Sequence, residues 1–325
     1  MPPLFDAHNH LQDDWLRPHL DRIARDLAAA GVAGAVVNGT CEADWPAVSA
    51  LAARFPWVRP SYGLHPWDVG NASPSWRETL LRTLDANPHA SVGEVGLDRW
   101  ILERARPDDP RLAGLRRAPL DEQVAAFCWQ LRVAAERNLP VTIHCLDAWG
   151  ALAAALRQTP LPPRGFLLHA YGGSAAMARE FAALGAYFSF NGNFLPPSST
   201  HPSDDKLLGG AAGDDAKRHL LRDTARARRC ADVFATLPRD RLLVETDAPA
   251  MPLPAARRAY SLPDLADGTH VNHPASLAAA YAGLAEILHL PPAELVAQVA
   301  ANFERLFGPG PAARGAHGPP FRMQA

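Results

Sequence analysis

The segment Leu4-Phe5-Asp6-Ala7-His8-Asn9-His10 decides the fold. It begins as a short apolar run, which predicts a β-strand, and it continues into a turn that carries two histidines. In an open doubly wound sheet, the turn after the first strand contains the glycine-rich phosphate-binding pattern GxGxxG. This turn has no glycine, so the segment favours a closed barrel over the open sheet.

The same arrangement recurs along the chain, with a short apolar run followed by a longer segment of helical periodicity. Strands that alternate with helices pair in parallel, because each return to the same direction needs a crossover. Eight such runs predict a TIM (β/α)8 barrel, in which the carboxyl ends of all strands face one mouth. The predicted strands are 4–7, 34–38, 58–63, 91–95, 141–143, 165–168, 186–190 and 242–245, with helices that include 22–30, 123–137, 175–184 and 277–288.

The domain prediction is a single barrel domain over residues 1–308 of the 325. Segments 99–119 and 195–216 interrupt the alternation after strand ends, which predicts long loops on the active face. The tail, residues 309–325, is poor in apolar residues and is expected to be disordered. We see no secretion signal and no apolar run near the ~20 residues of a membrane span. Four cysteines without a CxxC pair predict reduced thiols and a cytoplasmic location.

The charge balance gives no argument for a nucleic-acid partner, because the formal net charge is −2. Arginines do cluster at 99–117 and 222–229, and such clusters can bind phosphate groups. Acidic residues dilute both clusters, so a solvated surface is the favoured interpretation.

Residues of metal-ligand type stand at the ends of five predicted strands. In a barrel these ends meet, so residues distant in sequence converge on one volume. Four imidazoles and two carboxylates suit Zn²⁺, Mn²⁺, Co²⁺ or Fe²⁺, and their number favours a pair of ions with Glu94 as the bridge. Taken singly, each could be a core histidine or a salt-bridge partner. The six residues are His8, His10, Glu94, His144, His169 and Asp247.

Several motifs together resemble the TatD-like metal-dependent hydrolases, a family that includes TatD-related deoxyribonucleases. The resemblance runs from residue 4 to about residue 308. The segments that carry it are Asp6-Ala7-His8-Asn9-His10-Leu11, Gly63-Leu64-His65-Pro66, Gly93-Glu94-Val95-Gly96-Leu97-Asp98, Pro140-Val141-Thr142-Ile143-His144, Leu168-His169-Ala170-Tyr171-Gly172-Gly173 and Leu243-Val244-Glu245-Thr246-Asp247-Ala248-Pro249.

The resemblance implies an amidohydrolase-like TIM barrel with two divalent ions, of Zn, Mg or Mn. By analogy, His8, His10 and Asp247 hold one ion, His144 and His169 hold the other, and Glu94 bridges them. The sequence departs from the family pattern after His144, where the arginine usually found two residues on is absent. An arginine near the metals could contact a phosphate, so its absence bears on the choice of substrate. The metal ligands themselves are all present.

The predicted function is hydrolysis of phosphodiester bonds by a metal-activated water, with DNA as the leading substrate. Asp247 is the candidate for orienting the water and accepting its proton, and His65 is the candidate for binding substrate. The alternative is a two-metal esterase, lactonase or deacylase that acts on a small molecule or on aminoacyl-tRNA. A non-catalytic metal-binding barrel is less favoured, and no membrane or obligate protein partner is predicted.

Three further residues near the predicted mouth are candidates for a role. Trp67 and Trp100 can be stacking platforms or ordinary packing residues. Cys145 is disfavoured as a nucleophile, because adjacent strand residues face opposite ways and no orienting group is evident.

Overall fold

The computed structural model of the protein describes residues 2–196 and 214–308. Its sheet contains eight parallel strands in the order β1 to β8, each paired with the next along the chain. This confirms the predicted TIM-type barrel. The strands are β1 Leu4–Asn9, β2 Val32–Asn38, β3 Val58–Tyr62, β4 Ser91–Asp98, β5 Val141–Leu146, β6 Phe166–Leu168, β7 Ala186–Asn191 and β8 Leu242–Glu245.

Helices surround the barrel, and the described residues contain ten α-helices. Local signals mark several ends: the Ser174 hydroxyl accepts a hydrogen bond from the Met177 amide at the start of α7, and Asn138 ends α5 in the left-handed conformation. The helices are α1 Leu20–Ala29, α2 Trp45–Arg54, α3 Trp76–Ala86, α4 Trp100–Glu103, α5 Leu120–Arg137, α6 Trp149–Gln158, α7 Ala175–Ala183, α8 Asp214–Thr236, α9 Leu277–Leu288 and α10 Pro292–Phe307.

The predicted long loops have different outcomes. Segment 99–119 is a loop that contains the short helix α4 and a 3-10 turn at Pro110–Leu112. Segment 195–216 falls mostly outside the described residues, and the tail 309–325 falls there entirely. The single-domain boundary at residue 308 stays a prediction. None of the described helices has the length and apolarity that crossing a membrane requires.

The core fills the barrel and the layer between barrel and helices, and all residues of β1, β3 and β4 are buried. At the amino end of the barrel, α10 packs its apolar face against the first strand. There the Phe303 ring stacks on the Phe5 ring with centroids 4.6 Å apart. Arg59 in β3 pairs with Glu304 at 2.6 Å between Nη2 and Oε1. Helix α10 thus covers the amino end of the barrel, and the mouth lies at the carboxyl end.

Polar groups join the first and last strands at what we call the seam, defined by residues 6–10 and 246–248. The Asp247 amide donates to the His8 carbonyl at 3.0 Å, and the His10 amide donates to the Ala248 carbonyl at 2.8 Å. The Thr246 hydroxyl donates to Oδ2 of Asp6 at 2.6 Å. These bonds close the barrel at its carboxyl end.

Two buried glutamines on α5 hold the loops that leave β3 and β4. The Leu64 amide donates to Oε1 of Gln130 at 2.8 Å, and Nε2 of Gln130 donates to the Leu64 carbonyl at 3.2 Å. One heptad earlier, Gln123 makes the same pair of bonds with the backbone of Asp98, at 2.8 and 3.1 Å. Residues seven apart lie on one helix face, so α5 fixes both loops at the mouth.

Candidate metal centre

The six predicted ligand residues lie together at the carboxyl end of the barrel, with Glu94 among them. Oε2 of Glu94 lies 3.2 Å from Nε2 of His10 and 3.5 Å from Nε2 of His8. Oε1 lies 2.8 Å from Nε2 of His169 and 3.1 Å from Nδ1 of His144. The two oxygens of one carboxylate therefore face two different groups of imidazoles.

The first group is formed by the end of β1 and by Asp247, which lies two residues after the end of β8. His8 and His10 are two apart in an extended segment, so their rings project to the same side, and their Nε2 atoms are 3.1 Å apart. Oδ1 of Asp247 lies 3.4 Å from Nε2 of His8 and 3.5 Å from Nε2 of His10. Asp247 has φ 54°, a left-handed conformation that aspartate tolerates better than most residues, and its amide is bound at the seam.

The second group is formed by the ends of β5 and β6. Nδ1 of His144 and Nε2 of His169 are 3.2 Å apart. The close approach of β4 to β5 depends on Gly96, which has φ +146°. A Cβ at this position would lie 2.0 Å from the His144 carbonyl oxygen, so only glycine fits. The glycine in the GEVGLD segment thus brings Glu94 and His144 onto adjacent strands at close range.

Neighbouring acceptors orient two of the rings. Nδ1 of His10 donates to the Asn38 carbonyl at 2.8 Å, which leaves the Nε2 lone pair directed at the centre. Nε2 of His144 lies 3.1 Å from Oδ2 of Asp98, so Nδ1 carries the inward lone pair. The same Asp98 oxygen accepts a hydrogen bond from the Trp67 indole at 2.6 Å.

Glu245 lies behind His169 but does not hydrogen-bond the ring: its Oε1 is 3.7 Å from Nδ1, which has no hydrogen-bond partner among the described residues. Glu245 in turn accepts hydrogen bonds from Ser189 and Asn191 on the neighbouring strand. Asn38, Asp98 and Glu245 had no assigned role in the sequence analysis. Their common signal is a polar residue at the end of a buried strand.

The donor set fits divalent cations. Two ligand atoms about 2.1 Å from one ion lie roughly 3.0 to 3.4 Å apart at octahedral or tetrahedral angles. The contacts of His8, His10, Asp247 and Oε2 of Glu94 range from 3.1 to 3.5 Å. The contacts of His144, His169 and Oε1 of Glu94 range from 2.8 to 3.2 Å. Both groups could hold an ion.

The electrostatics of the metal-free cluster show how strongly these groups attract positive charge. Burial lowers the pKa of His144, but Asp98 and Glu94 outweigh burial and raise this pKa to about 9. Burial also opposes the charged form of His10, yet Asp247 and Glu94 hold its pKa well above the usual range. The pKa of Glu94 lies well below its usual range, because His169, His65 and His8 outweigh the effect of burial. The carboxylates therefore favour positive charge at His10 and His144.

His65 lies beside the cluster, but its tautomer differs from that of a ligand. Its Nδ1 accepts a hydrogen bond from the Trp67 amide at 3.2 Å, so the proton of the neutral ring sits on Nε2. That Nε2 lies 3.5 Å from Oε1 of Glu94. Burial lowers the pKa of His65, which keeps the ring neutral. His65 is therefore a hydrogen-bond donor at the mouth.

The remaining candidates at the mouth, Trp67, Trp100 and Cys145, lie in packed surroundings. The Trp67 and Trp100 rings are nearly parallel, at 21° with centroids 6.1 Å apart, and the Arg111 guanidinium lies 4.9 Å from the Trp100 centroid. Arg111 is already bound to Asp109 by two side-chain hydrogen bonds, so this part of the first arginine cluster is self-paired. Burial raises the pKa of the Cys145 thiol, which supports the prediction that it is no nucleophile.

A barrel with imidazoles and carboxylates gathered at its carboxyl end defines a class of metal-dependent hydrolases, and comparison with known proteins identifies the family within it. The sequence profile described as "TatD related DNase" matches residues 5–211 and 217–308. The chain therefore belongs to the TatD family and is a metal-dependent hydrolase.

Individual relatives cover nearly the whole chain. The "3'-5' ssDNA/RNA exonuclease TatD" of Klebsiella pneumoniae (strain 342) is 27% identical over 94% of this chain and 98% of its own. The "uncharacterized metal-dependent hydrolase YjjV" of Escherichia coli (strain K12) is 30% identical over 76% of this chain and 80% of its own. The crystal structure of that E. coli TatD homologue superposes with a TM-score of 0.70 at 26% identity, covering 94% of this chain and 97% of the other.

Proposed function

We propose that this protein is a two-metal phosphodiesterase that shortens single-stranded nucleic acid. His8, His10 and Asp247 would hold one divalent ion, and His144 and His169 would hold the other. Glu94 would serve both ions. Zn, Mg and Mn all suit this set of nitrogen and oxygen donors.

The observation that carries the proposal is that the two oxygens of the Glu94 carboxylate face two different groups of histidines. Its Oε2 is directed at the His8 and His10 group, and its Oε1 is directed at the His144 and His169 group. A single metal site uses one face of a carboxylate, whereas a pair of ions roughly 3.5 to 4 Å apart needs a ligand that serves both.

When bound, the ions lower the pKa of water from 15.7 to about 7 and neutralise charge on the phosphoryl oxygens. The chain supplies the remaining parts. Asp247 turns Oδ1 toward His8 and His10, and its Oδ2, which has no partner among the described residues, accepts a hydrogen bond from the attacking water. The Nε2–H of His65 donates to an oxygen of the substrate. Burial raises the pKa of the Cys145 thiol, so this side chain does not compete with water as the nucleophile.

Nucleic acid is the proposed substrate because the Klebsiella relative, named as an exonuclease on single-stranded DNA and RNA, matches 94% of this chain. A phosphodiester also suits two ions that clamp the attacking and leaving oxygens. The four free cysteines support a reducing, cytoplasmic setting for this activity.

The test is a substrate panel on protein that has been stripped with a chelator and then reloaded with Mg²⁺, Mn²⁺ or Zn²⁺. We expect stepwise shortening of single-stranded DNA labelled at its 5′ end, and no shortening by the stripped protein. Double-stranded DNA and circular single-stranded DNA are the controls, because an enzyme that starts from a 3′ end leaves the circle intact.

The alternative hydrolases give a different pattern in the same panel. Turnover of simple esters, lactones or aminoacyl-tRNA without cleavage of DNA or RNA would replace the phosphodiesterase by the esterase or deacylase. Equal activity before and after chelation would remove the two-metal mechanism altogether.

A further inference from the structure

A pocket separate from the metal centre lies between the segments that follow β7 and β8. It encloses about 290 Å³. Asn193 stands two residues after β7, and its Nδ2 donates to the Pro252 carbonyl at 2.8 Å, which ties the two segments together. Asp223 and Arg226 on α8, together with Arg258, contribute the charged part of the lining. Both segments leave the carboxyl ends of their strands, so the pocket opens on the same side as the metal centre.

The two arginines differ from most others in the molecule because neither has a carboxylate partner among the described residues. Arg226 makes one side-chain hydrogen bond, to Oδ1 of Asn193 at 3.3 Å, and its guanidinium lies over the Phe194 ring at 4.8 Å. Arg258 uses Nε to donate to the Leu253 carbonyl at 2.6 Å. Its two Nη groups have no protein partner in the described part of the chain.

This arrangement is typical of an anion site. Other arginines, such as Arg257, form an ion pair with a neighbouring carboxylate, here Glu286, which compensates their charge. Arg258 is half-buried, and burial lowers its pKa by more than the nearby charge of Asp264 raises it. Asp223 also lines the pocket and leaves a net formal charge of +1 from its three ionisable side chains. Loops after strands 7 and 8 frequently form a phosphate site in this fold.

We propose that this pocket binds a phosphate group of the substrate other than the one that is cleaved. The guanidinium groups of Arg226 and Arg258 contact the phosphate oxygens, and the Asn193 amide is a further polar contact. The ligand is a backbone phosphate of single-stranded nucleic acid, so the inference rests on the proposed function. The pocket would explain how a chain of net charge −2 holds a polyanion next to its centre.

The experiment measures binding and cleavage separately. Binding of a fluorescent single-stranded oligonucleotide to chelator-treated protein is followed by anisotropy at several salt concentrations. For R226Q and for the double variant R226Q/R258Q, we expect affinity to fall about fivefold or more. The slope of log affinity against log salt should become shallower by about 0.7, the value for one phosphate contact on a single strand.

Cleavage by the metal-loaded protein gives the second readout. The KM for the oligonucleotide should rise in the arginine variants. Hydrolysis of bis(p-nitrophenyl) phosphate, which has only one phosphate, should not change. D223N removes the negative charge from the pocket and should tighten oligonucleotide binding. R257Q is the matched control, because it removes the same charge from the next residue and should leave affinity within about twofold.

The outcomes separate this site from the proposed function. If wild type cleaves DNA and R226Q/R258Q has the same KM and the same salt slope as wild type, the phosphate site is overturned. The proposed nuclease activity is not affected by that result. Arginine-dependent binding without any cleavage would keep the site and overturn the nuclease. An equal loss of affinity in R257Q would also overturn the site, since the effect would then be general charge.

Discussion

Glu94 is the residue on which the proposed centre depends most. It is almost wholly buried, and it contacts imidazoles from β1, β5 and β6 through its two oxygens. A carboxylate in this position draws together two groups of ligands that have no other shared acidic partner. Its removal should therefore affect both groups at once.

We expect Glu94→Ala to abolish both metal occupancy and hydrolysis. The measurement is the number of divalent ions per chain by plasma mass spectrometry, alongside the cleavage rate. Glu103→Ala is the control, because Glu103 is exposed and its nearest ion-pair partner, Arg99, is 3.8 Å away. Full activity in E94A would refute the bridging role.

Asp98 acts on the centre through His144. Because Oδ2 of Asp98 fixes the ring and its tautomer, Asp98→Ala should weaken the affinity for one ion by about 10- to 100-fold. Trp67→Phe keeps an aromatic ring but loses the indole hydrogen bond to the same oxygen, so a smaller loss is expected. Metal titration of the chelated protein measures both. Unchanged affinity in D98A, with Asp108→Ala as the exposed control, would exclude this role.

The ligand-type residues could be predicted from sequence because their type and their place at strand ends are both visible there. Asn38, Asp98 and Glu245 could not be assigned, although each is a polar residue of a strand. Their role depends on which imidazole lies across from them, and that depends on the register between neighbouring strands. Register is a property of the closed barrel, and a single strand carries little information about it.

At the level of elements, helix α5 links the outer layer to the mouth. Gln123 and Gln130 occupy one face of this helix and bind the backbone of Asp98 and Leu64. Leu64 precedes His65, and Asp98 orients His144. A helix that carries no metal ligand thus sets the position of two residues at the mouth.

Replacing Gln130 by Leu should lower the free energy of unfolding by about 1 to 3 kcal/mol, because the Leu64 amide is left buried without an acceptor. It should also raise KM, since the loop that carries His65 loses its anchor. Urea unfolding and steady-state kinetics measure the two effects. Gln298→Leu is the matched control at a half-exposed position, where a loss of similar size would contradict the argument.

The strands themselves show where sequence patterns stop being informative. The predicted core of every strand is confirmed, but β1 extends to Asn9 and β4 to Asp98, beyond the predicted ends at residues 7 and 95. The added residues of both strands are buried. Among them, His8 contacts Glu94 and Asp98 contacts His144, so polar partners at the centre extend these strands beyond their apolar runs.

For the whole molecule, the metal-free state should lose stability as the pH rises. The pKa values of His10, His144 and His169 are raised in the folded chain, that of His144 to about 9. A histidine whose pKa is higher in the folded state than in the unfolded state stabilises the folded state. This stabilisation is complete below the unfolded pKa of 6.5, and it is lost as the pH rises through the folded pKa. The window is therefore pH 6.5 to 9.

Metal should reverse this trend, because cations compete with protons for the same imidazoles and win more readily at higher pH. Thermal melting of chelated and reloaded protein should show a difference in Tm that widens between pH 6.5 and 9. A metal-free Tm that stays constant or rises across this range would contradict the prediction.

The position of the centre on the seam has a consequence for the architecture. In the proposed centre, one ion is held by His8 and His10 from the first strand and by Asp247 just after the last. That ion is a cross-link between the two ends of the barrel sequence, where Asp6 and Thr246 are already bonded across 240 residues. Restraining so long a loop removes much of the freedom of the unfolded chain. The same cation that activates water would then also keep the ring of strands shut.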